Sequence, residues 1–148
     1  MSRQTKLWLG IALLLGAGGL VAIRLSHRQT SLAEARDASR VGCASVAAAY
    51  RDHRAFLWLT VAARVAQVLP DSFGRYQHQR FLIRCPTGQQ VLIVNDVTVG
   101  QRVPVKLGDR VAAHGEYIWN RQGGLIHFTH SSAGGEQGWI LRGDHVYA

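Results

Sequence analysis

Hydrophobic and polar positions change texture twice along this chain. An uncharged apolar run fills residues 7–23, an alanine-rich stretch with interspersed charges follows over 26–55, and from Phe56 short β-branched and aromatic runs alternate with turn signals. The last texture predicts strands over 57–69, 79–85, 90–95, 110–120, 124–129 and 139–141. Their separators carry turn chemistry: Pro70-Asp71-Ser72-Phe73-Gly74, Pro86-Thr87-Gly88, Leu107-Gly108-Asp109, Arg121-Gln122-Gly123-Gly124 and the Ser/Gly-rich 131–138. Five or six strands with a long first member predict an all-β domain over 56–148, a small OB-like barrel, with a small sandwich as the alternative.

Alternation within the hairpin around Gly123-Gly124 sorts its side chains. Val111, Ala113, Gly115, Tyr117 and Trp119 fall on one face, and His114, Glu116 and Asn120 on the other. On the return strand Ile126 and Phe128 share a face opposite Leu125, His127 and Thr129. Matching the apolar faces predicts a core of Tyr117, Trp119, Ile126 and Phe128, with Glu116 beside or opposite His127.

The apolar run is preceded by Arg3 and Lys6 and followed by Arg24, the layout of a signal segment. After it comes Ile23-Arg24-Leu25-Ser26-His27-Arg28, without the small-x-small pattern that signal peptidase reads, which favours an uncleaved anchor within residues 1–25 over a cleaved peptide. Cys43 lies too far beyond the run to accept lipid. The arginines after the run outnumber the basic residues before it, which by charge alone argues against an exported domain. The position of the run argues for one, since a short N-terminal leader usually carries the downstream chain across the membrane. The stretch 26–55 predicts a helical spacer starting near Ser31, with Glu34 and Asp37 early and Arg40 and Arg51 late. Its Ala/Val face lacks a heptad of large residues, so it reads as a stalk or docking helix.

Composition changes this picture little. The formal charge is +8, but residues 1–59 hold eight basic residues against three acids, and the remainder nine against six. The excess therefore sits mainly in the leader and spacer, where contact with anionic headgroups accounts for it better than nucleic-acid binding. Cys43 and Cys85 either pair in an oxidising compartment or stand as two buried thiols.

Seven histidines are the main candidate chemistry. His78, His127 and His130 flank strand runs and suggest a divalent metal such as zinc. Residues three apart on a regular strand point to opposite faces, so His127 and His130 converge only if the strand ends or bulges near Thr129. Glu116 beside His127 suggests an acid/base pair or a cross-strand salt bridge. Asn95 and Asp96 either face the same site or open a turn, and Trp119 and Trp139 serve as a stacking platform or as packing. The candidate ligand set is His78, Asn95, Glu116, Trp119, Asn120, His127 and His130. No nucleophile elbow, phosphate-binding loop or Cys-x-x-Cys is present.

Several motifs occur in a fixed order: His78-Gln79-Arg80-Phe81, Gly108-Asp109, Gly115-Glu116-Tyr117-x-Trp119-Asn120, Gly123-Gly124-x-x-His127-Phe128-Thr129-His130 and Gly138-Trp139-Ile140 with Tyr147. Together they resemble an uncharacterised bacterial domain family marked by a His-Trp-Thr-His motif, over roughly Val61 to Tyr147. The resemblance implies a short exported domain of unknown function. This chain departs from the pattern at Val94-Asn95 and at His130-Ser131-Ser132-Ala133, where the family carries further histidines and an acid. The reading that results is a single-pass inner-membrane protein whose periplasmic domain binds a small ligand, a glycan or an envelope protein. The alternative is a metal-assisted hydrolase of a phosphodiester or glycan, with Glu116 as base.

Overall fold

A computed structural model describes residues 32–148. The apolar run read as an anchor lies outside the described residues, and among those described no helix is long and apolar enough to cross a membrane. A helical stretch over 32–38 runs through a 3-10 turn, Ser39–Val41, into α1 (Ala44–Arg51). Seven strands follow: β1 (Leu57–Ser72), β2 (His78–Arg84), β3 (Gln90–Asp96), β4 (Arg110–Ile118), β5 (Leu125–His127), β6 (Trp139–Arg142) and β7 (His145–Tyr147).

All seven belong to one sheet in the order β1-β2-β3-β5-β4-β6-β7, and an additional β1–β4 pairing closes five of them into a ring. The length of β1 makes this closure possible. Its first half, Leu57–Arg64, runs antiparallel to β4, and its second half, Arg64–Ser72, antiparallel to β2, with register shifts after Val65 and Leu69 that bend the strand. The far edge of β4 is shared end to end: β5 pairs at Glu116–Ile118 and β6 at Val111–His114. One continuous ring replaces the two facing sheets of the sandwich alternative. Strand β7 was not foreseen, because His145-Val146-Tyr147 is too short to show alternation.

Alternating side chains of β1 to β5 fill the ring. Val61, Val65, Phe81, Ile83, Val91, Ile93, Val111, Tyr117 and Ile126 are buried with no more than 2 % exposure. Full burial of each large apolar side chain is worth about 1.5–3 kcal/mol. Gly124 is indispensable here, because at φ +88° it lies against the Tyr117 ring, where a Cβ would approach to 2.2 Å.

Within the described part of the alanine-rich segment, α1 is a core element and not a stalk. Val46 and Ala49 are buried in the same core, and Cys43, at the start of α1, is disulfide-bonded to Cys85 just past β2, with Cα atoms 5.9 Å apart. Small side chains let the helix backbone come close to the ring, so an alanine face that packs weakly on a flat partner becomes a fitted lid. The described domain accordingly forms a compact unit from Ala35 onward.

Candidate functional site

The predicted hairpin register is present: Glu116 is the cross-strand partner of His127, and Tyr117 that of Ile126. Two registered rows therefore cross the outer surface of the ring. Trp58, Glu116 and His127 form one over β1, β4 and β5, while Thr60, His114 and Trp139 form the next over β1, β4 and β6. Strand alternation forces all six outward, because Leu57, Leu59, Gly115 and Tyr117 take the other face.

The second row is tightly organised. His114 shares a 2.9 Å hydrogen bond through Nδ1 with Thr60 Oγ1, and its ring stacks on Trp139 at 5.6 Å and 20° and tilts against Trp58 at 5.6 Å. Glu136 Oε1 stands 3.8 Å from His114 Nε2. Burial holds the His114 pKa below the ordinary imidazole value, with the Glu136 carboxylate partly opposing the shift.

The first row leads to a second histidine cluster. His127 faces His78 with ring centroids 5.4 Å apart, and His78 Nε2 lies 3.9 Å from Asp96 Oδ2. That separation is too long for a hydrogen bond but close enough for attraction to an imidazolium. Burial lowers the His127 pKa, and the charge of His78 lowers it further against an opposing pull from Asp96. Asp96 also opens the turn after β3 by accepting from Thr98 N–H at 2.8 Å, the turn role read for it from sequence.

Strand β5 does end at His127, but the ending reverses the expected placement of its neighbours. Phe128 adopts φ +52° and is 43 % exposed instead of joining the core, whereas Thr129 is buried and donates to Asn95 Oδ1. The cause is a close backbone approach: a Cβ on Gly138 would lie 1.8 Å from the Phe128 carbonyl oxygen, and Gly138 N–H donates to His130 O. His130 thus sits in the following loop with Nδ1 against Ser131 O at 2.9 Å. Among the described residues no three His, Cys, Asp or Glu side chains converge as a metal ion requires, so the His78, His127 and His130 trio is not assembled as a ligand set. Nor does any hydrogen bond among the described residues join Glu116 to His127, the contact an acid/base pair would use.

Three other candidates have structural roles. Asn95 is 1 % exposed, donating to Gln79 Oε1 and Gln101 O. Trp119 donates its indole N–H to Tyr50 O and packs against Tyr50 and His53, which locks α1 to the ring. Asn120 Oδ1 accepts from Gln122 and Gly124 N–H and shapes the β4–β5 turn.

Beside the two rows opens a cleft of about 320 Å³, lined by Trp58, Phe128, His130, Ser132, Gly134, Gly135 and Glu136. Its aromatic walls come from β1 and the residue after β5, and its polar lining comes from His130 and the 131–138 loop. Sequence reasoning missed Trp58, His114 and Glu136. Trp58 lies inside a long apolar run, and nothing local reveals that β4 brings His114 alongside. The alternation that set His114 on the face of Glu116 was the available signal.

No curated protein matches the chain. The model of a family described as "Protein of unknown function (DUF3465)" matches residues 25–148, which take in all the described residues, and the chain belongs to that family.

Proposed function

We propose that this protein is a membrane-tethered, extracytoplasmic binding module, an OB-like barrel that holds a carbohydrate ring in the cleft between Trp58 and Phe128. The observation that carries this reading is the cleft's composition. Two aromatic side chains, the half-buried Trp58 and the exposed Phe128, face a lining of one hydroxyl, one carboxylate and one imidazole, from Ser132, Glu136 and His130. A sugar has the complementary character, with an apolar C–H face for stacking and hydroxyls for the polar groups. Glu116, Glu136 and Asp96 along the same surface disfavour a nucleic-acid backbone. The five-stranded ring fits an OB-type barrel, a class that binds oligosaccharides and oligonucleotides on its surface. Support for the location comes from the Cys43–Cys85 bridge, which suits an oxidising compartment, and from the apolar run 7–23.

The test is a titration of tryptophan fluorescence in the full chain, held in a polyoxyethylene detergent, with diacetylchitobiose and with maltose. A saturable change with either sugar, weakened about tenfold in Trp58→Ala (~1.4 kcal/mol) and largely restored in Trp58→Tyr, is expected. No saturable change with either sugar, or a Trp58→Ala titration equal to wild type, contradicts the proposal.

A further inference from the structure

The residue at which β1 passes from one partner strand to the other is an arginine, and so are both of its partners. Arg64 is the cross-strand partner of Arg84 on β2 and of Arg110 on β4, so three guanidinium groups stand in one row across adjacent strands. Like charges directly opposite one another on a sheet are destabilising. The usual remedy, an interleaved carboxylate, is missing: among the described residues none lies within ion-pairing distance of Arg64, Arg84 or Arg110. Asp109, the chain neighbour of Arg110, is turned instead to Arg142 Nε at 2.7 Å and Lys106 N–H at 2.8 Å.

What the three arginines do meet leaves donors free. Arg64 Nη1 donates to Gly108 O at 2.9 Å, and with the Gln90 amide turned so that its oxygen faces Arg84, Arg84 donates to it through Nη2 and Nε at 2.6 and 3.2 Å. Arg110 has no acceptor among the described residues. A guanidinium carries five donors in a fixed fork, a geometry suited to tetrahedral oxyanions. The row also lines a cleft of about 670 Å³, whose remaining wall includes Ala62, Pro86 and Leu107. That volume exceeds what an inorganic anion needs and falls within the range of small-molecule sites.

We propose that this cleft is a second ligand site, which binds a phosphate ester: the phosphoryl oxygens sit on the Arg64, Arg84 and Arg110 row, and the organic body lies against Ala62, Pro86 and Leu107. Arg64 and Trp58 lie six residues apart on β1, roughly 20 Å at strand rise, so this site and the proposed sugar cleft are separate and either can fail alone. A bound phosphate relieves the mutual repulsion of the row, which gives the site a signature beyond affinity.

The experiment tracks the arginine Nε–Hε resonances of the full chain in polyoxyethylene detergent. Glycerol phosphate is titrated in one arm, and in the other the micelles are doped with phosphatidylglycerol or with phosphatidylcholine. Saturable shifts of the Arg84 and Arg110 signals with glycerol phosphate support the site with a soluble ester as ligand. Shifts only with phosphatidylglycerol support it with a lipid headgroup as the source. Arg64→Gln is expected to weaken binding at least tenfold, and Arg110→Gln to weaken it without lowering the Tm of the ligand-free protein. The proposal is overturned by shifts that sodium chloride reproduces at equal ionic strength, by unchanged binding in Arg64→Gln, or by a falling Tm in ligand-free Arg110→Gln. An oligothymidylate that binds a hundredfold more tightly than either phosphate ester also overturns it, in favour of a nucleic-acid surface.

Discussion

Asn95 shows how a polar side chain can hold together segments far apart in sequence. It donates to Gln79 on β2 and to the Gln101 carbonyl in the following loop, and it accepts from Thr129 just past β5. Gln79 extends the network to both backbone groups of Val103. Removing the amide leaves several buried groups unpaired, so Asn95→Ala is expected to lower stability by about 2–3 kcal/mol in urea unfolding. A value near zero would remove Asn95 from this role. The histidines give a pH dependence of known sign. His114 and His127 are both held below 6.5, so as pH falls past that value the unfolded chain takes up protons that the folded domain resists. Their contribution to stability is complete above 6.5 and declines as pH drops toward the lowered values. Asp71 and Asp109, held low by Arg102 and Arg142, change charge only in stronger acid, below 3.8. Urea unfolding should therefore give a smaller free energy at pH 5.5 than at pH 7.5, and the difference should shrink in His114→Gln/His127→Gln. Single residues were the least legible part of the sequence. Asn95, Trp119 and Asn120 have the chemistry of ligand contacts, but each finds its partners inside the fold, and those partners lie in segments that only tertiary structure brings near.

At the scale of elements the sequence was easier to read. The six predicted strands all form, because alternation and turn residues mark a half-buried strand without reference to its partners. The β4–β5 register followed from the requirement that apolar faces coincide. Besides the short strand β7, two features escaped. Phe128 turns outward because a remote segment, Gly138, comes close to its carbonyl, and no local pattern encodes that approach. The spacer helix joins the core because one covalent bond and two small buried side chains fix it there, whereas an alanine-rich face read alone has no partner. The bridge spans 42 residues of sequence, for which chain-entropy arguments give a contribution of about 4 kcal/mol. Reduction, or Cys43→Ser/Cys85→Ser, should lower unfolding stability by roughly that amount while the β signal in circular dichroism persists in the native baseline. An unchanged denaturation midpoint on reduction would show that α1 is held by packing alone.

For the whole molecule, the ring separates two outer surfaces with different chemistry. The start of β1 presents indoles, imidazoles and acids around Trp58, and its middle presents the arginine row at Arg64. Composition hinted at neither, because a net charge of +8 summed over the chain hides a row of three arginines, and a count of seven histidines hides the facing pair His78 and His127 and the separate His114 packed among indoles. Family membership bounds the domain without assigning it a ligand, so the sugar-binding reading rests on the cleft. Its most direct test is a backbone amide shift map of the full chain titrated with diacetylchitobiose. The account predicts that the largest changes fall on Trp58, Phe128, His130 and residues 132–136, with the Trp58 indole signal moving to saturation. Changes centred elsewhere, or shifts that scale with sugar concentration without saturating, would contradict it.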